Sequence, residues 1–388
     1  MHTKGKVIYI ASVFWHFSSF HIPFMRMLQA EGFEVFAMAR TDRPGTRELL
    51  EAEGIHCIEA PFSRNPFSLS NVKACRALRK ILQETRFEII HLHTPAVAFI
   101  ARMAARNTQK GPVVYTVHGF HFYRGAPWAN WLLFYSAEKL SRRWTDAVIT
   151  MNSEDFGTAK RLGYEPERSL FFTHGVGVNT EVYSPSESKR SVIRKELMIN
   201  DEEIVFVSIG EINKNKNHKW LLRVWSSLNE KGIRLLIAGN GPGEKALENN
   251  IRASRLKNVH FLGYRSDVQD LLAASDALVS VSRREGLPRN VMEAMATGLP
   301  VIGTNVRGTR DLIEHKDTGL LISLGDDNAL RDALKLMIEN SDLRNDMGKN
   351  AREAVIRYSE QNVVEEIRNI YSVLGVLKDS RRGRRHGH

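Results

Sequence analysis

In Ala277-Leu278-Val279-Ser280-Val281-Ser282-Arg283-Arg284-Glu285-Gly286-Leu287-Pro288-Arg289-Asn290-Val291-Met292-Glu293-Ala294-Met295-Ala296, a short apolar run passes through a charged, glycine-bearing turn into a helical pattern. The run, Ala277–Val281, suits a strand buried on both faces, as in a parallel sheet covered by helices. Pro288 falls near the first helical position, where a missing N–H costs little. The helix is expected to reach about Thr297, with Gly298 as its stop. The turn then lies at the carboxyl end of a parallel strand, where doubly wound sheets hold their ligands.

A helix N-terminus in that position offers unpaired N–H groups and a positive dipole end, which suit a diphosphate. Gly286, Leu287 and Pro288 form this approach, and Gly286 lets a ligand come close to the backbone. Glu285 sits in the turn. Glu293 sits on the first turns of the helix and can accept two ribose hydroxyls. Residue by residue, the two acids fit equally well as a dipole complement and a solvated helix position.

Outward from this segment the chain alternates strand and helix. Apolar runs fall at Lys6–Ala11, Glu34–Ala39, Phe87–His91, Pro112–Val117 and Ala147–Met151, with helical periodicity between them, as over Asn71–Glu84 and Pro95–Asn107. A second series follows at Ile204–Ile209, Arg234–Ala238, Val259–Leu262, Ala277–Val281 and Pro300–Thr304. This alternation predicts two doubly wound α/β domains with parallel sheets. The polar, proline-bearing stretch Tyr183–Lys189 reads as the linker. The expected division is 1–182, 183–359, a helix over about 360–378 that packs back on the first domain, and a basic tail, 379–388. With two such sheets, the default ligand site is a cleft between domains.

Composition narrows the function class. The two cysteines, Cys57 and Cys75, exclude a disulfide framework and a four-cysteine metal site. No apolar run approaches the roughly 18 residues needed to span a bilayer, and no secretory signal is visible. A cytoplasmic location is expected, with contact only at the inner face of the membrane. The net charge of +11 divides into +6 up to Pro185 and +5 beyond, of which +4 lies in Lys378–His388. The charge fits phosphate-bearing substrates or an anionic membrane surface. No nucleic-acid module is present.

Further segments carry chemistry. Gly210-Glu211-Ile212-Asn213-Lys214-Asn215-Lys216 follows the first strand of the second half and puts Lys216 on a loop within reach of a phosphate. Gly239-Asn240-Gly241 and Gly263-Tyr264-Arg265 follow the next strands. In the first half, Thr116-Val117-His118-Gly119 and His91-Leu92-His93 end two strands, which makes His118 and His93 candidates. The loop after the first strand, Phe14-Trp15-His16-Phe17-Ser18-Ser19-Phe20-His21, has no glycine-rich phosphate turn. That argues against a dinucleotide there; His16 and His21 fit an acceptor pocket or a packed aromatic cluster. Trp128–Tyr135 with Lys139, Arg142 and Arg143 fits either a buried crossover helix or a lipid boundary.

The string from Glu285 to Ala296 resembles the Glu-x7-Glu signature of retaining glycosyltransferases of the GT-B fold, glycosyltransferase family 4. Strings such as His118-Gly119-Phe120-His121-Phe122 and Asn213-Lys214-Asn215-Lys216-Asn217 resemble the EpsD-like exopolysaccharide and capsule glycosyltransferases, and the likeness runs over nearly the whole chain. The resemblance implies transfer of a hexose or N-acetylhexosamine from a nucleotide sugar, UDP-linked by family habit, to a polyprenyl-diphosphate-linked saccharide. It implies Glu285 and His118 as catalytic residues. Donor contacts fall to Lys216, Gly286, Leu287, Pro288, Glu293, Gly210, Asn240, Tyr264 and Arg265, with the backbone near Tyr264 and Arg265 at the base. His16, His21 and His93 lie on the acceptor side. Other polysaccharide-assembly enzymes are implied as partners. No Asp-x-Asp occurs, consistent with a metal-independent site without cofactor. One departure stands out: Glu211 occupies the position where the family carries arginine, with Lys214 as a candidate substitute. A nucleotide-sugar epimerase of the same fold and a non-catalytic assembly scaffold are the alternatives.

Overall fold

The computed structural model describes residues 3–63, 65–106, 108, 111–228 and 230–378. The chain divides into two compact units, Met1–Val176 with Gln361–His388, and Gly177–Glu360. The basic tail 379–388 lies outside the described residues.

Unit one holds a seven-stranded parallel sheet: β1 (Gly5–Val13), β2 (Phe33–Arg40), β3 (His56–Glu59), β4 (Ile89–Leu92), β5 (Val113–Val117), β6 (Ala147–Thr150) and β7 (Leu170–Phe172). Their order across the sheet is β3-β2-β1-β4-β5-β6-β7. Alternate side chains enter opposite layers, as the strand period of two requires. Ile8 and Ile10 of β1 join one core, while Val7, Tyr9 and Ala11 join the other. The helix Glu360–Val373 belongs to this second layer, adding Val363, Ile367, Ile370 and Tyr371.

Unit two holds six parallel strands: β8 (Ile204–Ile209), β9 (Ile233–Ala238), β10 (Val259–Gly263), β11 (Ala277–Ser280), β12 (Val301–Thr304) and β13 (Gly319–Ile322). Their order is β10-β9-β8-β11-β12-β13. Here too, two apolar layers cover the sheet.

The structure corrects several expectations. The chain passes between units at Val176/Gly177, not at 182/183. Tyr183–Lys189 is no linker: Ser186 caps the helix Glu187–Glu196 through its side-chain oxygen, which accepts from the Lys189 N–H. Proline and serine mark a helix start as readily as a domain break. Pro288 is the N-cap residue, in extended conformation, one position before the helix Arg289–Ala296. Strands β3, β7 and β13 were not anticipated. All three lie at sheet edges and are only three or four residues long. The segment Trp128–Ser141 is helical but not a buried crossover. Its middle, Trp131–Tyr135, is a π-helix, and Trp128 and Leu132 are 78% and 64% exposed.

Candidate functional site

Two constellations form, one at the carboxyl end of each sheet. In unit two the core of the site is the turn that follows β11. Strand β11 is buried throughout. The chain surfaces at Arg283 and Arg284, and returns through half-buried Glu285, Gly286 and Leu287 to buried Pro288. Neighbouring loops fix this turn. The Arg283 N–H donates to the Asn215 carbonyl at 2.8 Å, and Asn215 Nδ2 donates to the Arg284 carbonyl at 3.0 Å. Arg307 Nε donates to the Glu285 carbonyl at 3.1 Å. Gly308, at φ +77°, approaches so closely that a Cβ there would lie 2.2 Å from the Gly286 oxygen.

Within this frame, Lys216 Nζ stands 2.8 Å from Glu285 Oε1, and both side chains are largely shielded from water. The lysine is aimed by its loop. Asn213 Oδ1 accepts the N–H groups of Asn215 and Lys216. Gly210, at φ +150°, leaves room for the lysine stem; a Cβ there would lie 2.9 Å from Lys216 Cε. The result is a cation and a carboxylate beside a helix N-terminus whose first N–H groups lack intrahelical partners.

The other donor-side candidates are placed unevenly. Glu293 is buried, and its carboxyl is paired to Arg289 at 3.0 Å and to the Tyr183 hydroxyl. Burial pushes its pKa up, against the pull of Arg289. Asn240 is exposed and holds the Ile212 N–H through its carbonyl. Tyr264 is exposed, whereas the Arg265 guanidinium is spent on Asp267 and Glu196. Glu211 is exposed. Lys214 lines a cavity of about 900 Å³ with Asn213, His218, Trp220 and Arg283, a lining that does not include Lys216 or Glu285.

In unit one, four histidines come together. His93 follows β4, His118 follows β5, His16 lies in the helix Phe14–Phe20, and His21 joins that helix to Ile22–Ala30. His16 Nε2 and His21 Nε2 are 3.1 Å apart, and His93 Nδ1 and His118 Nε2 are 3.2 Å apart. One ring nitrogen from each of the four lies within 4.8 Å of the others. Behind them, His91 bridges Tyr371 and Thr116, and Tyr371 in turn meets the Tyr9 hydroxyl at 2.7 Å. Removal from water lowers the pKa of four rings: His118 to about 4, His91 to about 3, and His21 and His93 well below the ordinary value, with neighbouring histidines adding to the effect at the last three. These rings are therefore neutral at pH 7. Thr94, next to His93, has φ 65°, a strained setting for a β-branched residue that costs on the order of 1–3 kcal/mol.

Sequence reasoning missed several participants. Arg307 follows the run Pro300–Thr304, and no sequence signal aims it at Glu285. Tyr183 was assigned to a linker. His91, Tyr9 and Tyr371 are strand and helix residues whose convergence spans most of the chain. Of the two readings of His16 and His21, an acceptor pocket or a packed aromatic cluster, the packing is the one seen: Phe17 stands edge-on to Tyr9 and His93.

Comparison with known proteins places the chain in a family. Residues 189–354 match the family description "Glycosyl transferases group 1", and residues 24–172 match "Glycosyl transferase 4-like domain". The chain is 36% identical to a putative glycosyltransferase EpsD of Bacillus subtilis (strain 168), over 95% of this chain and 96% of that protein. It is 27% identical to the UDP-Gal:alpha-D-GlcNAc-diphosphoundecaprenol alpha-1,3-galactosyltransferase of Escherichia coli, over 91% and 92% of the two chains. Among solved structures, Anabaena HepE in complex with UDP and glucose aligns with a TM-score of 0.79 at 20% identity, covering 95% of this chain and 99% of that one.

Proposed function

Since this chain belongs to the group 1 glycosyltransferases and has the GT-B fold, we propose that it moves a hexose or N-acetylhexosamine from a UDP-sugar to a polyprenyl-diphosphate-linked saccharide, with retention and without a metal in the transfer step. The observation that carries the reading is the Lys216–Glu285 pair at 2.8 Å beside the N-terminus of Arg289–Ala296. Relatives named for UDP-galactose and diphosphoundecaprenol acceptors support the choice of substrates.

In this reading Lys216 and the helix N–H groups take the charge that develops on the departing diphosphate. Arg307 holds the Glu285 backbone, and Glu285 orients the sugar or stabilises positive character at its anomeric carbon. The acceptor oxygen bonds to that carbon on the face from which the diphosphate leaves. The bond to the phosphate oxygen breaks, and that oxygen takes the acceptor's proton. With Glu211 in place of the family arginine, and Lys214 lining a cavity apart from the Lys216–Glu285 pair, the diphosphate is held by Lys216 and the helix N–H groups. In the same reading His16, His21 and His93 of unit one serve the acceptor side, and His118 is the catalytic histidine. Buried Glu293 must exchange Tyr183 or Arg289 for the ribose hydroxyls.

Trp128, Leu132, Lys139 and Arg143 form an exposed aromatic and basic segment, suited to the inner face of an anionic membrane. Among the described residues no helix is long and apolar enough to cross a membrane. The test is a thermal-shift panel of UDP- and GDP-sugars, then transfer to lipid-linked saccharide with the best donor. UDP-sugar stabilisation followed by an α-linked product supports the reading; an epimerised donor without acceptor, or donor-independent behaviour, refutes it.

A further inference from the structure

His16, His21, His93 and His118 form a nitrogen cage, and we propose that it binds one divalent transition-metal ion of the zinc type. The group contains four histidines and no carboxylate or thiol. Imidazole nitrogens are the donors such ions prefer, while magnesium and calcium require oxygen.

The spacing fits. A tetrahedral zinc site with Zn–N bonds of about 2.0–2.1 Å has nitrogens roughly 3.3 Å apart. His16 Nε2 and His21 Nε2 already stand 3.1 Å apart, and His93 meets His118 through its other nitrogen, Nδ1, at 3.2 Å. The remaining nitrogens lie within 4.8 Å, so side-chain adjustment on the order of an ångström closes the tetrahedron. The ring centroids lie between 4.1 and 5.8 Å apart.

The hydrogen bonding is incomplete without an ion. His93 is fully buried, and its Nε2 has no hydrogen-bond partner. A buried polar atom left unpaired is costly, and such atoms often mark an ion or water site. Aromatic and hydrogen-bonded side chains pack behind the rings. Tyr9 stacks on His93 at 5.7 Å, and the Tyr9–Tyr371–His91–Thr116 chain walls the cage from behind. His16 and His118 are only partly buried and leave a route for entry.

Metal binding itself does not depend on the proposed function. Its consequence does: an ion on His118 withdraws that ring from the acceptor side, so zinc would inhibit transfer reversibly.

The experiment uses the full chain after chelator treatment. Titration with Co2+ should give the intense visible bands of a tetrahedral site, and Zn2+ should displace it at one ion per chain. X-ray absorption of the zinc-loaded protein should show four nitrogen or oxygen neighbours at about 2.0–2.1 Å and no sulfur. His16→Gln and His16→Gln/His118→Gln, both at partly buried positions, should weaken zinc binding at least tenfold. Absence of stoichiometric binding overturns the proposal, as does unchanged affinity in the double variant. If that variant does not fold, a six-oxygen zinc environment in the wild-type protein overturns it. Binding to the cage with undiminished transfer would leave the site standing and remove His118 from the reaction.

Discussion

Replacing Lys216 with methionine keeps the aliphatic stem and deletes the charge. Lys216 Nζ lies 2.8 Å from Glu285 Oε1, with the two side chains 19% and 13% exposed. At an effective dielectric constant of 20 the gross attraction at that distance is roughly 6 kcal/mol. Desolvation and side-chain ordering cancel most of it, leaving about 1.5–3 kcal/mol for a hydrogen bond to a charged group. The same value applies when the lysine holds a diphosphate. At about 1.4 kcal/mol per decade, kcat/KM should therefore fall roughly 10- to 150-fold. Because Glu285 loses its partner in the same variant, Lys216→Met/Glu285→Gln should cost less than the sum of the single changes. Initial rates with UDP-sugar and lipid-linked acceptor measure the first effect, and UDP affinity by calorimetry shows how much of it is donor binding. A kcat/KM within about threefold of wild type, with unchanged UDP affinity and an intact fold, would refute the placement of this lysine at the diphosphate.

Gly210→Ala tests the same lysine from the other side. Its Cβ would meet Lys216 Cε at 2.9 Å on a backbone of φ +150°, so a destabilisation of about 1–3 kcal/mol with weaker UDP binding is expected in thermal melts and calorimetry. For Glu293 the sign follows from its raised pKa. The folded protein holds this proton more tightly than the unfolded chain, so stability from this group is full below the ordinary carboxyl pKa and is lost as pH rises through the folded value. Glu293→Gln should flatten that loss, gaining on wild type as pH rises from 4 to 7 in denaturation of unit two; a parallel pH profile would exclude the titration. Arg102 and Glu138 form a fully enclosed pair, with Arg102 Nη1 2.8 Å from Glu138 Oε2 and the guanidinium over the Tyr115 ring. Glu138→Ala leaves the arginine buried and unpaired, so a loss of about 3–5 kcal/mol is expected in chemical denaturation of unit one; a loss under about 1 kcal/mol would mean that the cavity hydrates.

The legible parts of this protein are those written locally. Ala277–Ala296 states strand, turn and helix in consecutive residues, because burial on both faces, a glycine turn and a proline at the helix start are all short-range signals. The same holds for most central strands, and for Lys216, whose loop brings it to the end of β8. Three of the four edge strands, β3, β7 and β13, escaped because three or four residues are too short a run to stand out, whereas the edge strand β10 is five residues long. Ser186 was misread because a helix cap and a linker use the same residues. The sequence by itself therefore determined two doubly wound sheets and which loops crown them. What surrounds the crowning residues was decided only by the tertiary structure. Arg307 at the Glu285 carbonyl, Tyr183 on Glu293, and Tyr371 behind His91 join positions 22, 110 and 280 residues apart. The four-histidine cage is partly of this kind: His16 and His21 lie close together after β1, His93 follows β4 and His118 follows β5, and the sheet order β1-β4-β5 brings the three places together.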